Sequence, residues 1–181
     1  MQNNLKRLSG LMAAGLILTA TQAHALPTDR DQPIKVAADS ATFDQKTGLA
    51  VYKGNVIVQQ GTLEVRADEV VLTVDKQGNV QKSTAKGNPA HYQQKQDEKK
   101  GLVTAEAKQI DYDARADKMI LTGDAKLKQD TSSFQGSVIT YYMTQQQVDA
   151  KGDSNNRVQL VFPPQPRDPQ ATTPQNKDKS K

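Results

Sequence analysis

The sequence predicts an all-β chain of repeated short antiparallel strands, on three observations. Thr62-Leu63-Glu64-Val65-Arg66-Ala67 alternates strictly, so Leu63 and Val65 share one face and Glu64 and Arg66 the other. Turn signals recur at Thr47-Gly48, Gly54-Asn55, Gln77-Gly78-Asn79, Gly87-Asn88-Pro89, Gly123-Asp124 and Gly152-Asp153. Beyond residue 25, no window of a dozen residues carries an apolar stripe at helical spacing.

Taken in chain order, the first element is a leader. Lys6-Arg7, the apolar run Leu8 to Ala20 and Ala23-His24-Ala25 have the grammar of a secretory signal peptide, with cleavage expected after Ala25. The run is short for a membrane span, and no Cys follows the cleavage point to carry a lipid. The mature protein is therefore expected to be soluble and exported to a bacterial periplasm. Leu26 to Gln32 reads as a polar arm. Strand-like alternation then runs from Pro33 through Val56 and Val58, Val70, Leu72 and Val74, and Ile110 and Tyr112, ending at Val158, Leu160 and Phe162. From Pro163 the chain holds five prolines among Gln, Thr and Lys, a composition that predicts a disordered tail over residues 163–181. One domain over residues 26–162 remains.

That domain contains a repeat. A small residue, usually with an acid after it, recurs as Ala38-Asp39, Ala67-Asp68, Ala105-Glu106 and Gly136-Ser137. Gly54-Asn55, Gly87-Asn88, Gly123-Asp124 and Gly152-Asp153 follow these markers at 16, 20, 18 and 16 residues. The expectation is four copies of a sheet unit that turns at Gly and stacks on its neighbours to cover its apolar face.

Composition removes most chemistry. Cys is absent and the mature chain keeps His91 alone, which excludes disulfide frameworks, thiolate metal sites and Cys nucleophiles and leaves any triad or multi-His site with one imidazole. No cofactor is expected. The formal charge of +4 resides in the ends: the leader holds two basic residues, and the last nineteen positions hold four basic and two acidic ones. The body keeps eighteen of each sign, interleaved, with none of the basic striping that nucleic acid requires. Asp111, Asp113 and Asp117 suggest a carboxylate pair, but they read as a solvated face beside Arg115 and Lys118. His91 reads as a surface residue, and Lys35, Lys53, Arg66, Lys82 and Lys86 as ordinary strand charges.

Several stretches together resemble the OstA-like family of lipopolysaccharide transport. They are Asp31-Gln32-Pro33-Ile34, Lys53-Gly54-Asn55-Val56-Ile57-Val58 with Gln60-Gly61-Thr62, Ala67-Asp68-Glu69-Val70-Val71, Gly87-Asn88-Pro89-Ala90 and Leu121-Thr122-Gly123-Asp124-Ala125. Their order from about Asp31 to Phe162 carries the resemblance, since each motif alone is common. Gly136-Ser137 departs from the usual marker, and Tyr92 stands where the family often has Phe.

The resemblance implies an open, twisted β-jelly roll whose concave interior binds lipid A acyl chains. It also implies molecules joined head to tail into a bridge, between an inner-membrane export complex and an outer-membrane translocon. Exposing an acyl chain of about a dozen methylenes costs on the order of 10 kcal/mol, at about 0.8 kcal/mol each. An apolar trough is thus the physical requirement for crossing an aqueous gap.

Alternation nominates the trough lining: Ile34, Val36, Phe43, Val56, Val58, Leu63, Val65, Val70, Leu72, Tyr92, Ile110, Tyr112, Leu127, Phe134, Ile139 and Tyr141. The resemblance singles out Ile34, Val36 and Tyr92 as lipid contacts. The strands Ile34 to Ala37 and Arg157 to Phe162 carry few charges, so Ile34, Val36, Val158, Leu160 and Phe162 are expected on open edges that pair between copies. A structural or glycan-binding adaptor is the competing reading, and solvent-facing aromatics would favour it. A modifying enzyme would instead cluster titratable groups inside the trough.

Overall fold

The computed structural model describes residues 29–95, 101–154 and 156–164. The leader with its cleavage point after Ala25, and the tail beyond Pro164, lie outside the described residues. After a 3-10 turn at Asp29–Asp31 come β1 (Lys35–Ala37), β2 (Ser40–Asp44), β3 (Leu49–Gln60), β4 (Leu63–Val74) and β5 (Val80–Lys95). They continue as β6 (Leu102–Asp113), β7 (Lys118–Gln129), β8 (Ser132–Tyr142), β9 (Gln147–Lys151) and β10 (Gln159–Val161). All pair antiparallel in one ten-stranded sheet. Both β1 and β2 line the outer edge of β3, and both β9 and β10 line the outer edge of β8, so the sheet stays open at each end. The all-β, open jelly-roll expectation matches this architecture.

The six inner strands run 11 to 16 residues, longer than the turn signals implied. Gly54-Asn55, Gly87-Asn88-Pro89 and Gly123-Asp124 are not turns: each lies inside a strand, where the pairing register shifts. Gly54 and Asn55 have φ of 78° and 46°, and Gly123 and Asp124 have 83° and 50°. Two successive left-handed residues make a β-bulge, which bends and twists a strand without ending it. At Gly54 even the space demands glycine, because a Cβ would lie 2.1 Å from an Asp39 carboxylate oxygen.

The repeat has a different physical basis from stacked units. In the pairing register Asp39, Gly54-Asn55, Asp68, Gly87-Asn88, Lys108, Gly123-Asp124 and Ser137 form one row of irregularities across the sheet. The recurring dipeptides therefore mark a single crease. The third small-residue marker falls at Ala107-Lys108, two residues after the expected Ala105-Glu106, because the register shifts between Glu106 and Gln109.

The crease folds the sheet into two leaves with their apolar faces together. Inward parity switches at the crease in β4, from Leu63, Val65 and Ala67 to Val70 and Leu72, and likewise in β6 and β8. The extra residue of the bulge in β3 and β7 keeps parity constant, as in Ala50, Val56 and Val58. Along the fold line the inward residues are small: Ala67, Ala90, Ala107, Ala125 and Gly136 are all buried. Small side chains let the leaves converge there.

Aspartates shape the ends. Asp44 accepts from the N–H groups of Lys46 and Thr47, Asp75 from those of Gln77 and Asn79, and Asp113 from those of Arg115 and Ala116. Each strand-ending carboxylate thus satisfies the N–H groups of its own turn.

Two strand limits change. β1 begins at Lys35, leaving Ile34 just outside it, and β10 covers only Gln159–Val161, leaving Val158 and Phe162 as its flanks. The Phe162 ring stands edge-on to Phe134 with centroids 6.1 Å apart.

Candidate functional site

Between the leaves lies a cleft of about 660 Å³, within the size range of small-molecule sites. One leaf contributes Gln60, Leu63, Val65, Tyr92 and Gln94, and the other Val80, Ser83, Ala85, Ile110, Tyr112 and Met119. The cleft reaches the free lips, where Asp29, Gln32 and Ile34 stand on one side and Gly78, Asn79 and Gln81 on the other.

The residues nominated from alternation separate into groups. Ile34, Leu63, Val65, Tyr92, Ile110 and Tyr112 line the cleft. Val56, Val58, Val70, Leu72, Leu127, Ile139 and Tyr141 are buried in the packed core and form no part of the cleft wall; Ile139 and Tyr141 are fully buried. Val36 and Phe134 pack against the margin of that core. Phe43 departs most, being 55% exposed on an edge strand whose five residues are all exposed. Alternation and its pairing with buried Ala50 place it on the inner face, but at the sheet's edge that position stays exposed.

Sequence reasoning missed Ser83, Ala85, Met119 and the polar rim. Parity on β5 and β7 would have found the first three, since they share faces with buried neighbours. Nothing in the sequence marks the rim, whose residues are brought together across up to 65 positions.

At the rim Asp29 is the hub. Its Oδ1 accepts the Thr62 N–H at 2.7 Å, and its Oδ2 accepts the Thr62 hydroxyl at 2.7 Å and the Gln94 amide at 2.8 Å. Tyr92 donates its hydroxyl to Gln94 Oε1 at 2.6 Å, continuing the chain into the cleft. Desolvation pushes the Asp29 carboxyl up, but the hydrogen bonds from Thr62 and Gln94 outweigh it and hold the group below the usual carboxylate range. Burial pushes the Tyr92 phenol up, with Tyr112, Tyr141 and Asp117 adding to the effect. Tyr92 is thus a neutral hydrogen-bond donor near neutral pH.

The carboxylates considered for acid–base work are committed elsewhere. Asp111 accepts from Thr84 Oγ1 and Gln109 Nε2, both at 2.7 Å, and Asp113 caps its turn with Lys82 Nζ 3.6 Å away. Asp117 holds Thr144. His91 stands half-exposed, 3.5 Å from Glu106, on the face opposite Tyr92.

The chain is an open β-jelly roll with a cleft between its leaves, apolar in its walls and polar at its rim. The family model described as "LptA/(LptD N-terminal domain) LPS transport protein" matches residues 35–147, and the chain belongs to that family. It is 37% identical over 97% of its length to the lipopolysaccharide export system protein LptH of Pseudomonas aeruginosa, covering 97% of that protein. It is 35% identical over 90% of its length to the lipopolysaccharide export system protein LptA of Escherichia coli K12, covering 88% of it. The crystal structure of Pseudomonas aeruginosa LptH, described as a periplasmic component of the lipopolysaccharide transport device, superposes with a TM-score of 0.68 at 36% identity. That match covers 76% of this chain and all of the LptH chain. The family is one of transport proteins, and this chain is accordingly not an enzyme.

Proposed function

We propose that this protein carries lipopolysaccharide across the periplasm, holding acyl chains in the cleft between its leaves. The observation that carries the reading is the cleft: the half-buried Leu63 and Val65 turn apolar surface into a space that reaches the lips, with Ile110 and Met119 behind it. Sheltering a chain of about a dozen methylenes there offsets on the order of 10 kcal/mol of exposure. Sugars and phosphates stay outside, past the polar rim. The leader supports export, and membership in a family of lipopolysaccharide transport proteins supports the ligand.

Copies join head to tail into a bridge from the inner-membrane export complex to the outer-membrane translocon. The strand directions support this. Successive strands alternate from β1–β2 through β9–β10, so pairing the β9–β10 edge of one copy with the β1–β2 edge of the next continues the antiparallel order. Such a contact is heterologous and open-ended. Leu160, Val161 and Phe162 are 50%, 58% and 65% exposed on one edge, apolar surface that a neighbour would cover.

The test is to purify residues 26–181 from a Gram-negative host, assay bound lipopolysaccharide and follow oligomer size against concentration. Bound lipid and concentration-dependent growth are expected. A lipid-free monomer at every concentration contradicts both parts.

A further inference from the structure

We propose that residues 29–34 are a latch over the mouth of the cleft, closed by Asp29 and displaced when a lipid chain enters. The inference rests on the carrier reading and adds a moving part to it. The segment crosses the inner face of one lip. Asp29 sits on Thr62 in the β3–β4 turn and on Gln94 near the end of β5, and the Gln32 carbonyl accepts the side-chain amide of Gln60 at the end of β3 at 3.0 Å. Gln60 and Gln94 share inward parity with Val58 and Tyr92, so the strap runs inside the mouth and not behind it. Asp29 lies so close to the β3–β4 turn that a Cβ on Gly61 would be 2.2 Å from its Oδ1.

The attachment is of a kind that can open. The contacts holding Asp29 and Gln32 are hydrogen bonds, with no core apolar side chain at either position. Beyond Pro33, which has no N–H to donate, the chain is anchored by the pairing of Lys35 with Gln59 in β1. Ile34, the one large apolar side chain of the segment, borders the cleft but is 38% exposed, so the segment belongs to the low-stability end of the fold, where binding lids are found. The facing lip is also open: Gly78, at φ 86°, has nothing within 4 Å of where a Cβ would be. Opening leaves the core untouched and widens the mouth beside Tyr92 and Leu63.

The chain has no Cys, so a D29C/T62C pair in residues 26–181 would introduce the only thiols, at two side chains already in contact. Oxidised, this variant is expected to take up purified lipopolysaccharide about tenfold more slowly than when reduced, and Asp29→Ala to take it up several-fold faster than wild type, as loss of charge-assisted hydrogen bonds implies. Equal rates for the oxidised and reduced forms, or an unchanged rate in Asp29→Ala, overturn the latch and leave the carrier reading standing. Wild-type protein that takes up no lipopolysaccharide contradicts the carrier reading instead. The latch is then decided by the same pair of rates with dodecyl maltoside as the single-chain probe.

Discussion

The two halves of the inner face are written in the same alternating pattern and filled differently. Across β7 and β8, Leu121, Leu127, Ile139 and Tyr141 are at most 1% exposed, and the Tyr141 hydroxyl meets Gln129 of the opposite leaf at 3.4 Å. Across β4 to β6, Leu63, Val65 and Tyr112 are only partly buried and face a cleft. Alternation decides which side chains turn inward; only the distance between leaves decides whether they meet. A packed half holds the leaves in place, and a hollow half is left to hold something else.

Substitutions can break this contrast. Leu121→Ala should cost about 2–5 kcal/mol in denaturant unfolding, because a fully packed site leaves a cavity. Val65→Ala in the cleft wall should cost under about 1 kcal/mol, since its side chain already borders open space, and should weaken lipid binding. Comparable losses at the two positions would mean that the halves are packed alike. The crease comes next: Ala107, with no exposed surface, should tolerate Leu only at about 1–3 kcal/mol by the same assay, because overpacking there pries the leaves apart.

Acid should act on the lips before the core. Asp29, Asp75 and Asp113 are all held below the usual carboxylate range: Asp29 by Thr62 and Gln94 against its own desolvation, Asp75 chiefly by the Asn79 N–H, and Asp113 chiefly by the Ala116 N–H. A carboxylate with a depressed folded-state pKa stabilises the fold above its unfolded value, about pH 4, and loses that contribution as the pH falls through the lower value. Hydrogen exchange between pH 5 and pH 2.5, corrected for intrinsic rates, should show the turns at residues 61–62 and 75–79 loosening before Leu121 and Ile139. The reverse order would place the acid-sensitive contacts in the core.

The smallest effect on folding belongs to the edge. Val161→Lys, at a position 58% exposed, should change monomer stability by no more than about 0.5 kcal/mol. It should nevertheless shift self-association to higher concentration in sedimentation, since an edge lysine is a standard block to strand pairing. Unaltered association would remove β10 from the joint.

The strands and their open ends are legible in the sequence because a period of two is local and can be read separately on each side of the crease, even where its parity switches. The crease was visible but misread: Gly54-Asn55 and Gly123-Asp124 carry the residues of a turn, and nothing local distinguishes a turn from a bulge whose strand continues. Ala67 reads from the sequence only as a repeat marker, and Ala90, Ala107 and Ala125 announce no face, because alanine is compatible with either. Whether Tyr141 packs or lines space depends on the facing leaf, and the exposure of Phe43 on its place at the sheet's edge. The Asp29 rim is long-range and polar, and no period announces it.

Whether the hollow half receives acyl chains can be read from where bound lipid touches the sheet. A photo-crosslinking residue at Val65, in the cleft wall, is compared with one at Ile57, on the outward face of β3. Purified lipopolysaccharide should crosslink at Val65 and not at Ile57. Crosslinking at Ile57 with none at Val65 would place the lipid outside the fold and rule out the cleft as its site.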